Sequence, residues 1–547
     1  MTASLTLTTA RVDDMPLWRA QLERMGVQVL LDAHCPTHGN GVGLRLGWVS
    51  VVWGTHILSE GDHRLNRVAP WAKQRLYMLK ACTGQPVYPL DVSDDRLATV
   101  LEALRDDMHG RAGEGALNQH ARRVSALQPA CVRLDRTTAS GYGTVTEDGL
   151  FQCGHRQDHR PDLPQVKVML SALDPLGLPV ATDVVPGQRA DDPLDIPAIT
   201  RVWESLGRRG LLYRGDCQMG ALETRACIQA GGDDYLCPLS EIQLPPAVLG
   251  GDLAPVWRGE HALTLLHRPQ PGGPSALIAE GFERREPVTA EVAGKPYSWR
   301  ERRLVSRSCQ RAQAGERGRR ARLANAQAAV TALHTCGRGQ RRCPDPSALR
   351  KAGDTLLARH RVQGLLQVRY QEQLWERPRR RDGRRAATVP LEWDAQMTVS
   401  VDQEAVAAAV RPLGWRVYVT TQPPAPLSLQ EAVLAYRHES LVEQAMGRLK
   451  GHPLSLTPMY RERDDHATGL IRLLSIGLRG LTRLEFGVRR RLATVKTTLG
   501  GLSVGNPTRA MAHPTAERLL EAFQGLTLVL SQSCFFESVG ICKPLNS

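Results

Sequence analysis

The order of strand-like and helix-like segments between Cys131 and Leu239 restricts the fold more than any other feature of the sequence. Two apolar runs flank the turn sequence Asp174-Pro-Leu-Gly177, a spacing that predicts a β-hairpin. Apolar or periodic segments precede and follow this hairpin. They predict a strand at Cys131–Asp135, a helix at Pro193–Leu206, a strand at Leu211–Tyr213, a helix at Ala221–Ala230 and a strand at Tyr235–Leu239.

Two of the predicted strands end in an aspartate. Cys131-Val-Arg-Leu-Asp135 closes with Asp135, and Leu211-Leu-Tyr213 is followed by Arg214-Gly215-Asp216. A sheet that combines an antiparallel hairpin with parallel strands, and that carries acids at the ends of its first and fourth strands, is typical of a ribonuclease-H-like core. We therefore expect an α/β fold in which residues 126–240 form the first part of such a core.

A helix predicted from Ser428 to Lys450 carries a third acid. Ser428 and Glu431 have the spacing of a capping box, and leucines recur along one side at helical spacing. Tyr436, Glu443 and Lys450 are seven residues apart, so they lie on one face. We expect residues 411–495 to complete the core with this helix.

The remaining segments predict a multidomain chain. Residues 1–125 show mostly helical periodicity, residues 241–410 mix β-like segments with basic helices and form a large insertion domain, and residues 496–547 form a helical tail. The longest apolar stretch, around Leu470–Val488, contains three arginines, which favours a buried or amphipathic helix over a membrane span. No signal peptide is visible, so the sequence predicts a cytoplasmic protein without a membrane partner.

The charge balance points to a polyanionic partner. Seventy Lys and Arg residues against 56 Asp and Glu residues give a net charge of +14. Five arginines form a run that is either a solvated loop or a phosphate-binding segment, namely Arg379, Arg380, Arg381, Arg384 and Arg385. The 12 cysteines include no CxxC pair, which favours free thiols in a reducing compartment.

The three acids suit metal-assisted phosphoryl transfer. Carboxylates are the ligands that Mg²⁺ prefers, and two such ions activate the nucleophile and stabilise the leaving oxygen. We therefore expect Asp135, Asp216 and Glu443 to be catalytic residues and metal ligands. Paired acids also occur in glycosidases, but that alternative predicts an aromatic-lined cleft, and aromatic residues are only 5% of this basic chain.

At these residues the chain resembles an insertion-sequence DDE transposase of the IS-four kind, in the branch with an extra N-terminal domain. The resemblance rests on Leu134-Asp135-x-Thr137-Thr138, on Tyr213-x-Gly215-Asp216 and on a Y-x2-R-x3-E-x6-K signature at Tyr436, Glu439, Glu443 and Lys450. It implies two Mg²⁺ ions per site with Mn²⁺ as a substitute. It also implies cutting and joining of double-stranded DNA at terminal inverted repeats, a homodimer on paired ends and a nucleoid-associated location. Tyr436, Arg437 and Lys450 would contact DNA phosphate.

The signature departs from the family at one position. Its arginine falls on Glu439, with Arg437 two residues before it. A glutamate accepts hydrogen bonds but donates none, and it adds negative charge where a phosphate would dock. A catalytically impaired, DNA-binding relic of the same fold is therefore the alternative to an active transposase.

The departure predicts a gain of activity for Glu439→Arg. Two like charges about 5 Å apart repel by roughly 3 kcal/mol at an effective dielectric of about 20, and half of that slows cleavage about tenfold. Single-turnover nicking of labelled end-containing DNA should be faster for Glu439→Arg than for the parent, and the change should have no effect in a Glu443→Ala background. If Glu439→Arg cuts no faster than the parent, Glu439 does not face the DNA.

Overall fold

A computed structural model gives the fold of the chain. It describes residues 6–35, 43–125, 127–142, 145–154, 163–190, 192–270, 272–334, 346–376, 391–437, 440–460, 463–503, 505–532 and 537–542. The architecture is mixed α/β, with a large mixed sheet and many helices. In the part of the chain that the structure describes, no helix combines the length and the apolar run needed to cross a membrane.

The N-terminal part is helical, as its periodicity predicts, apart from one strand. Its elements are β1 (Thr6–Arg11), α1 (Met15–Arg24), α2 (Val27–His34), α3 (Leu46–Glu60), α4 (Leu65–Lys73), α5 (Leu76–Thr83), a 3₁₀ turn (Pro89–Val92), α6 (Asp94–Arg105) and α7 (Asp107–Ser125). The next elements are those of the predicted core: β2 (Cys131–Tyr142), β3 (Gln165–Asp174), β4 (Leu178–Pro186), a 3₁₀ turn (Asp192–Leu194), α8 (Asp195–Leu206), β5 (Leu212–Arg214), α9 (Leu222–Ala230) and β6 (Asp234–Pro238).

The second half of the chain begins with the predicted insertion. It contains α10 (Pro246–Trp257), β7 (Thr264–Gln270), β8 (Gly273–Val292), β9 (Lys295–Ser308), α11 (Cys309–His334), α12 (Pro346–His360), β10 (Leu366–Glu376), β11 (Leu391–Val401) and α13 (Gln403–Val410). The chain ends with β12 (Trp415–Thr420), α14 (Leu429–Arg437), α15 (Ser440–Lys450), β13 (Met459–Tyr460), α16 (Asp464–Val495), α17 (Ala516–Glu521), β14 (Thr527–Gln532) and β15 (Glu537–Cys542).

The large sheet has the strand order β4-β3-β2-β5-β6-β12-β9-β8-β7, and β13 pairs with the end of β2. The β3–β4 hairpin and β2 are antiparallel neighbours, whereas β2, β5 and β6 are parallel. This mixture agrees with the strand order predicted from the sequence. Nine of the ten residues of β3 are buried, because helices and other strands cover both faces of the sheet here.

The predicted insertion is only partly separate from this sheet. Strand β12 pairs antiparallel with both β6 and β9, so β7, β8 and β9 extend the main sheet. Strands β10 and β11 form their own two-stranded sheet, and α11, α12 and α13 pack with them in one apolar cluster. A single boundary at residue 241 therefore does not describe the packing of residues 241–410.

The long helix α16 connects the parts of the molecule. It packs against α6, α3 and β4, and its leucines share one apolar cluster with the N-terminal helices, α15 and one face of β2 and β3. The N-terminal helices are thus part of a common core rather than a separate module. Two arginines that interrupt the apolar sequence of α16 are buried in ion pairs, Arg472 with Asp107 at 2.5 Å and Arg479 with Glu114 at 2.9 Å.

The prediction of a helical tail over residues 496–547 is wrong beyond Glu521. Helix α17 ends there, Gly525 adopts a positive φ of 79°, and β14 follows. Strand β14 pairs antiparallel with β1 on one side and with β15 on the other. The partner strand β1 comes from the opposite end of the sequence, so local periodicity did not show the pairing.

A close helix contact predicts opposite effects for two glycine substitutions in α16. A Cβ on Gly469 would lie 2.2 Å from the carbonyl oxygen of Leu101 in α6, whereas one on Gly487 would meet no heavy atom within 4 Å. Gly469→Ala should lower the free energy of unfolding by about 1–3 kcal/mol. Gly487→Ala, the matched control, should raise it by about 0.5–1 kcal/mol through helix propensity.

Urea unfolding of the parent and both variants, followed by far-UV circular dichroism, measures these changes. If Gly469→Ala is as stable as Gly487→Ala, then α16 and α6 do not pack at this distance.

Candidate active site

Strand pairing brings Asp135 and Asp216 side by side. Strands β2 and β5 run parallel, with Val132 opposite Tyr213 and Arg133 opposite Arg214. Each aspartate lies two residues beyond the paired arginine of its own strand. The sequence interpretation was correct that Asp216 follows a strand end, but Asp135 lies inside β2, which continues to Tyr142. The reason is that β3 pairs with β2 along this whole length.

A buried carboxylate fixes this strand register. Asp174 Oδ2 accepts hydrogen bonds from Arg133 Nη2 at 3.0 Å and from Arg214 Nη1 at 2.5 Å. The Asp174 and Arg133 side chains are 4% and 5% exposed, so the ion pairs are shielded from water. Because Asp174 ends β3, this contact ties β2, β3 and β5 together two residues before the two aspartates.

The two aspartates line one small cavity of about 10 Å³, together with Arg136 and Asp195. The buried Arg136 side chain donates from Nη2 to both carboxylate oxygens of Asp216, at 3.2 and 3.4 Å. Asp216 also accepts from the backbone N–H of Gln218 at 2.9 Å, and its side chain remains 46% exposed. Arg136 therefore partly neutralises an acid that is still open to solvent.

Helices α14 and α15 lie over the face of β2 that carries Asp135. Side chains alternate along a strand, so residues 133, 135, 137 and 139 share a face. At one end of this face Arg133 Nη2 donates to the carbonyl oxygen of Ala435 in α14, at 3.1 Å. At the other end Ala139 belongs to the apolar cluster that contains Ala445, Met446 and Leu449 of α15. The last turn of α14 thus contacts β2 two residues before Asp135, and α15 also packs on β2.

Glu443 is an exposed residue in the first turn of α15. An acid at this end of a helix is favoured by the helix dipole and by the unpaired backbone N–H groups. Since α15 packs on β2, Glu443 lies on the element that adjoins Asp135. The single helix predicted from Ser428 to Lys450 is described as two helices, and His438 and Glu439 between them lie outside the described residues.

The predicted DNA-contacting residues occupy different environments. Tyr436 is buried beside Tyr418, with ring centroids 4.9 Å apart. Arg437 donates to the carbonyl oxygen of Ile278 and to Ser308 Oγ, at 3.3 and 3.0 Å, and burial lowers its pKa. Lys450 is half-buried at the end of α15. Arg379, Arg380, Arg381, Arg384 and Arg385 lie outside the described residues.

The acids have the right chemistry for a hard divalent cation, because carboxylate oxygens are its preferred ligands. Asp135 and Asp216 provide two such groups at one cavity. Within the described ranges, however, no group of three or more His, Cys, Asp or Glu side chains is close enough to hold a metal ion. The structure therefore places two of the three predicted ligands, Asp135 and Asp216, at one cavity and the third, Glu443, on a helix that packs against β2.

Nucleophilic catalysis by the nearby Cys217 is not favoured. Burial, and secondly the neighbouring Asp216 carboxylate, raise the pKa of the Cys217 thiol. The thiol is therefore protonated at neutral pH, and the thiolate is the reactive form.

Sequence reasoning missed Arg136, Asp174 and Asp195. Arg136 occupies the variable position of the Leu134-Asp135-x-Thr137-Thr138 motif, and its position beside an acid was the available signal. Asp174 was read only as a turn residue. Asp195 begins α8, where an acid is common because it interacts favourably with the helix dipole, so its position carries no functional signal.

The buried ion pairs of Asp174 predict a large loss of stability for Asp174→Ala. The substitution leaves Arg133 and Arg214 buried without their carboxylate, which typically costs about 3–5 kcal/mol. The control is Glu260→Ala, which removes an exposed ion pair with Arg258 and should leave the urea midpoint unchanged. A urea midpoint for Asp174→Ala equal to that of the control would show that the ion pairs of Asp174 do not hold the strands together.

Comparisons with known proteins give a distant structural match. No protein-family model matches the sequence, and no curated protein matches it. Among solved structures, the fold is similar to a cryo-EM structure of the piggyBac transposase synaptic complex with hairpin DNA. The TM-score is 0.33 and the sequence identity 8%, over 95% of this chain and 83% of that chain.

Proposed function

We propose that the chain is a DNA transposase that cuts and joins DNA by metal-assisted phosphoryl transfer, with Asp135, Asp216 and Glu443 as its metal-binding acids. The observation that carries the proposal is the placement of these acids. Asp135 on β2 and Asp216 just after β5 each lie two residues beyond the paired arginines of these neighbouring parallel strands, and the helix of Glu443 packs against the strand of Asp135. Acids from three distant parts of the sequence thus belong to adjoining elements.

The topology supports a ribonuclease-H-like core. Numbered from β2, the first five strands of this region have the order 3-2-1-4-5, with strands 1 to 3 antiparallel and strands 1, 4 and 5 parallel. Helices α8 and α9 connect the parallel strands. Asp135 lies on strand 1 of this order, and Asp216 directly follows strand 4, which is its neighbour.

Asp135, Asp216 and Glu443 would hold two Mg²⁺ or Mn²⁺ ions. Such ions activate an attacking oxygen and stabilise the leaving oxygen in phosphoryl transfer. The chain's own residues prepare the acids for this role. Asp174 and its two arginines set the strand register on which the positions of Asp135 and Asp216 depend.

Double-stranded DNA is the substrate that this chemistry and the charge of +14 favour. We propose that the chain acts at the terminal inverted repeats of an insertion sequence and binds paired ends as a homodimer. Tyr436, Arg437, Lys450 and the arginines of 379–385 are the proposed phosphate contacts. The structure describes Arg437 in hydrogen bonds to its own chain, so it would have to exchange these for phosphate.

A DNA-binding relic without cleavage activity is the second candidate. Two observations favour it: Arg136 pairs with Asp216, and the signature's arginine is replaced by Glu439. Both would weaken the site without affecting DNA binding elsewhere. The two candidates differ in one property, which is turnover of end-containing DNA in the presence of Mg²⁺ or Mn²⁺.

The proposal predicts that Asp135→Asn, Asp216→Asn and Glu443→Gln each nearly abolish cleavage. Each change keeps the shape of the side chain but removes a charged metal ligand. DNA binding should be retained, because other residues contact phosphate. The measurement is nicking of a labelled duplex that carries the element's ends, together with fluorescence anisotropy for binding.

The matched control is Glu223→Gln. Glu223 is, like Glu443, an exposed glutamate in the first turn of a helix, but it lies on α9. It should cut at the parental rate. Near-parental cutting by any of the three site variants would refute the assignment, and a parent that binds but never cuts would identify the relic.

A further inference from the structure

A second cleft, away from the acids, is rich in arginine. It has a volume of about 480 Å³ and lies between α1, the end of α7, the β3–β4 turn and the C-terminal half of α16. Four arginines line it, and we call it the arginine cleft: Arg24, Arg483, Arg490 and Arg491. No aspartate or glutamate is among its lining residues. It shares no lining residue with the cavity of Asp135 and Asp216.

Helix geometry explains why these arginines converge. Gly487, Arg490 and Arg491 come four, seven and eight residues after Arg483, so all four lie on one face of α16. Arg24 reaches the cleft from the end of α1. Gly487 lies between the arginines and leaves open space, because a Cβ there would contact nothing within 4 Å.

Three of the four cleft arginines have no described partner for their charge. In the described part of the chain, no ion pair or hydrogen bond engages the side chains of Arg24, Arg490 and Arg491. Arg489, which is adjacent in sequence, instead pairs with Glu485 at 2.7 Å. Burial lowers the pKa of Arg483, which is half-buried in the cleft. Cations gathered in a concave site raise the local concentration of anions.

The other side of the cleft is apolar. Leu127, Leu176 of the β3–β4 turn and Leu178 at the start of β4 form this wall, and Phe486 adds an apolar surface on α16 beside the arginines. A cleft of this volume fits a small organic ligand, and a mixture of an apolar wall with a few charged groups is typical of such sites. Phosphate alone would use the arginines but not the wall.

We infer that the arginine cleft binds a nucleotide unit, with its phosphate at Arg24, Arg490 and Arg491 and its nucleoside against Leu176, Leu178 and Phe486. The nucleotide is either free or part of a single DNA strand, because both present the same phosphate and base. This inference does not depend on the metal-binding role of the three acids. It assigns a binding function to the junction between the N-terminal helices and α16.

The test compares a cleft triple variant, Arg24→Gln, Arg490→Gln and Arg491→Gln, with a control triple variant of equal charge change. The control is Arg67→Gln, Arg359→Gln and Arg509→Gln, at exposed positions elsewhere. The probes are thymidine monophosphate, inorganic phosphate at equal ionic strength, and a labelled twelve-nucleotide oligothymidylate. Calorimetry measures the first two, and fluorescence anisotropy the third.

The parent and the control should bind thymidine monophosphate or the oligonucleotide at least about tenfold more tightly than the cleft variant does. For the oligonucleotide, the log–log salt slope should fall by about 0.7 unit, because the three arginines contact one phosphate. Inorganic phosphate should bind at least about tenfold more weakly than the monophosphate, because it makes no apolar contact. If the cleft variant loses affinity only for the oligonucleotide, the ligand is a DNA strand. If it loses affinity only for thymidine monophosphate, the ligand is the free nucleotide.

A single substitution at Gly487 gives an independent check. Gly487→Glu adds a carboxylate to open space in the cleft and should weaken binding at least about threefold through charge repulsion. Gly318→Glu, at an equally open helical glycine of α11 outside the cleft, should leave binding unchanged. Any of three results would overturn the inference. The cleft triple variant could bind as tightly as the parent, both triple variants could lose affinity equally, or the folded parent could fail to bind.

Discussion

The Asp174 carboxylate is the contact on which the candidate active site depends. It accepts hydrogen bonds from Arg133 on β2 and from Arg214 on β5, which are opposite each other in the parallel pair. A shift of one residue between these strands would separate the arginines from their shared partner and turn one aspartate to the other face of the sheet. Arg133 also binds the last turn of α14, so one buried cluster positions both strands and the helices above them.

A second set of buried charges positions the helix of Glu443. Arg448 of α15 pairs with Glu485 of α16 and, at 2.6 Å, with Glu517 of α17. These pairs and the apolar contacts of Ala445, Met446 and Leu449 attach α15 to the common core. Since α16 also packs on the N-terminal helices and β4, the position of Glu443 depends on contacts that span most of the chain.

Local patterns predicted much of the core, and long-range pairing accounts for most of what they missed. The Asp174–Gly177 turn identified the hairpin, and apolar spacing identified α8, α9 and α16. The pairing of β1 with β14, and the extension of the sheet through β12, join segments that are far apart in sequence. The pair between Arg136 and Asp216 also depends on strand register, which no window of sequence contains.

The central claim is that Asp135, Asp216 and Glu443 contribute to one metal site. Fe²⁺ in place of Mg²⁺, with ascorbate and peroxide, generates hydroxyl radicals that cleave the backbone near the bound ion. The account predicts cleavage in three segments, around Asp135 on β2, around Asp216 after β5 and at the start of α15, all suppressed by excess Mg²⁺. Cleavage at β2 and β5 without cleavage at α15, or no Mg²⁺-sensitive cleavage, would contradict it.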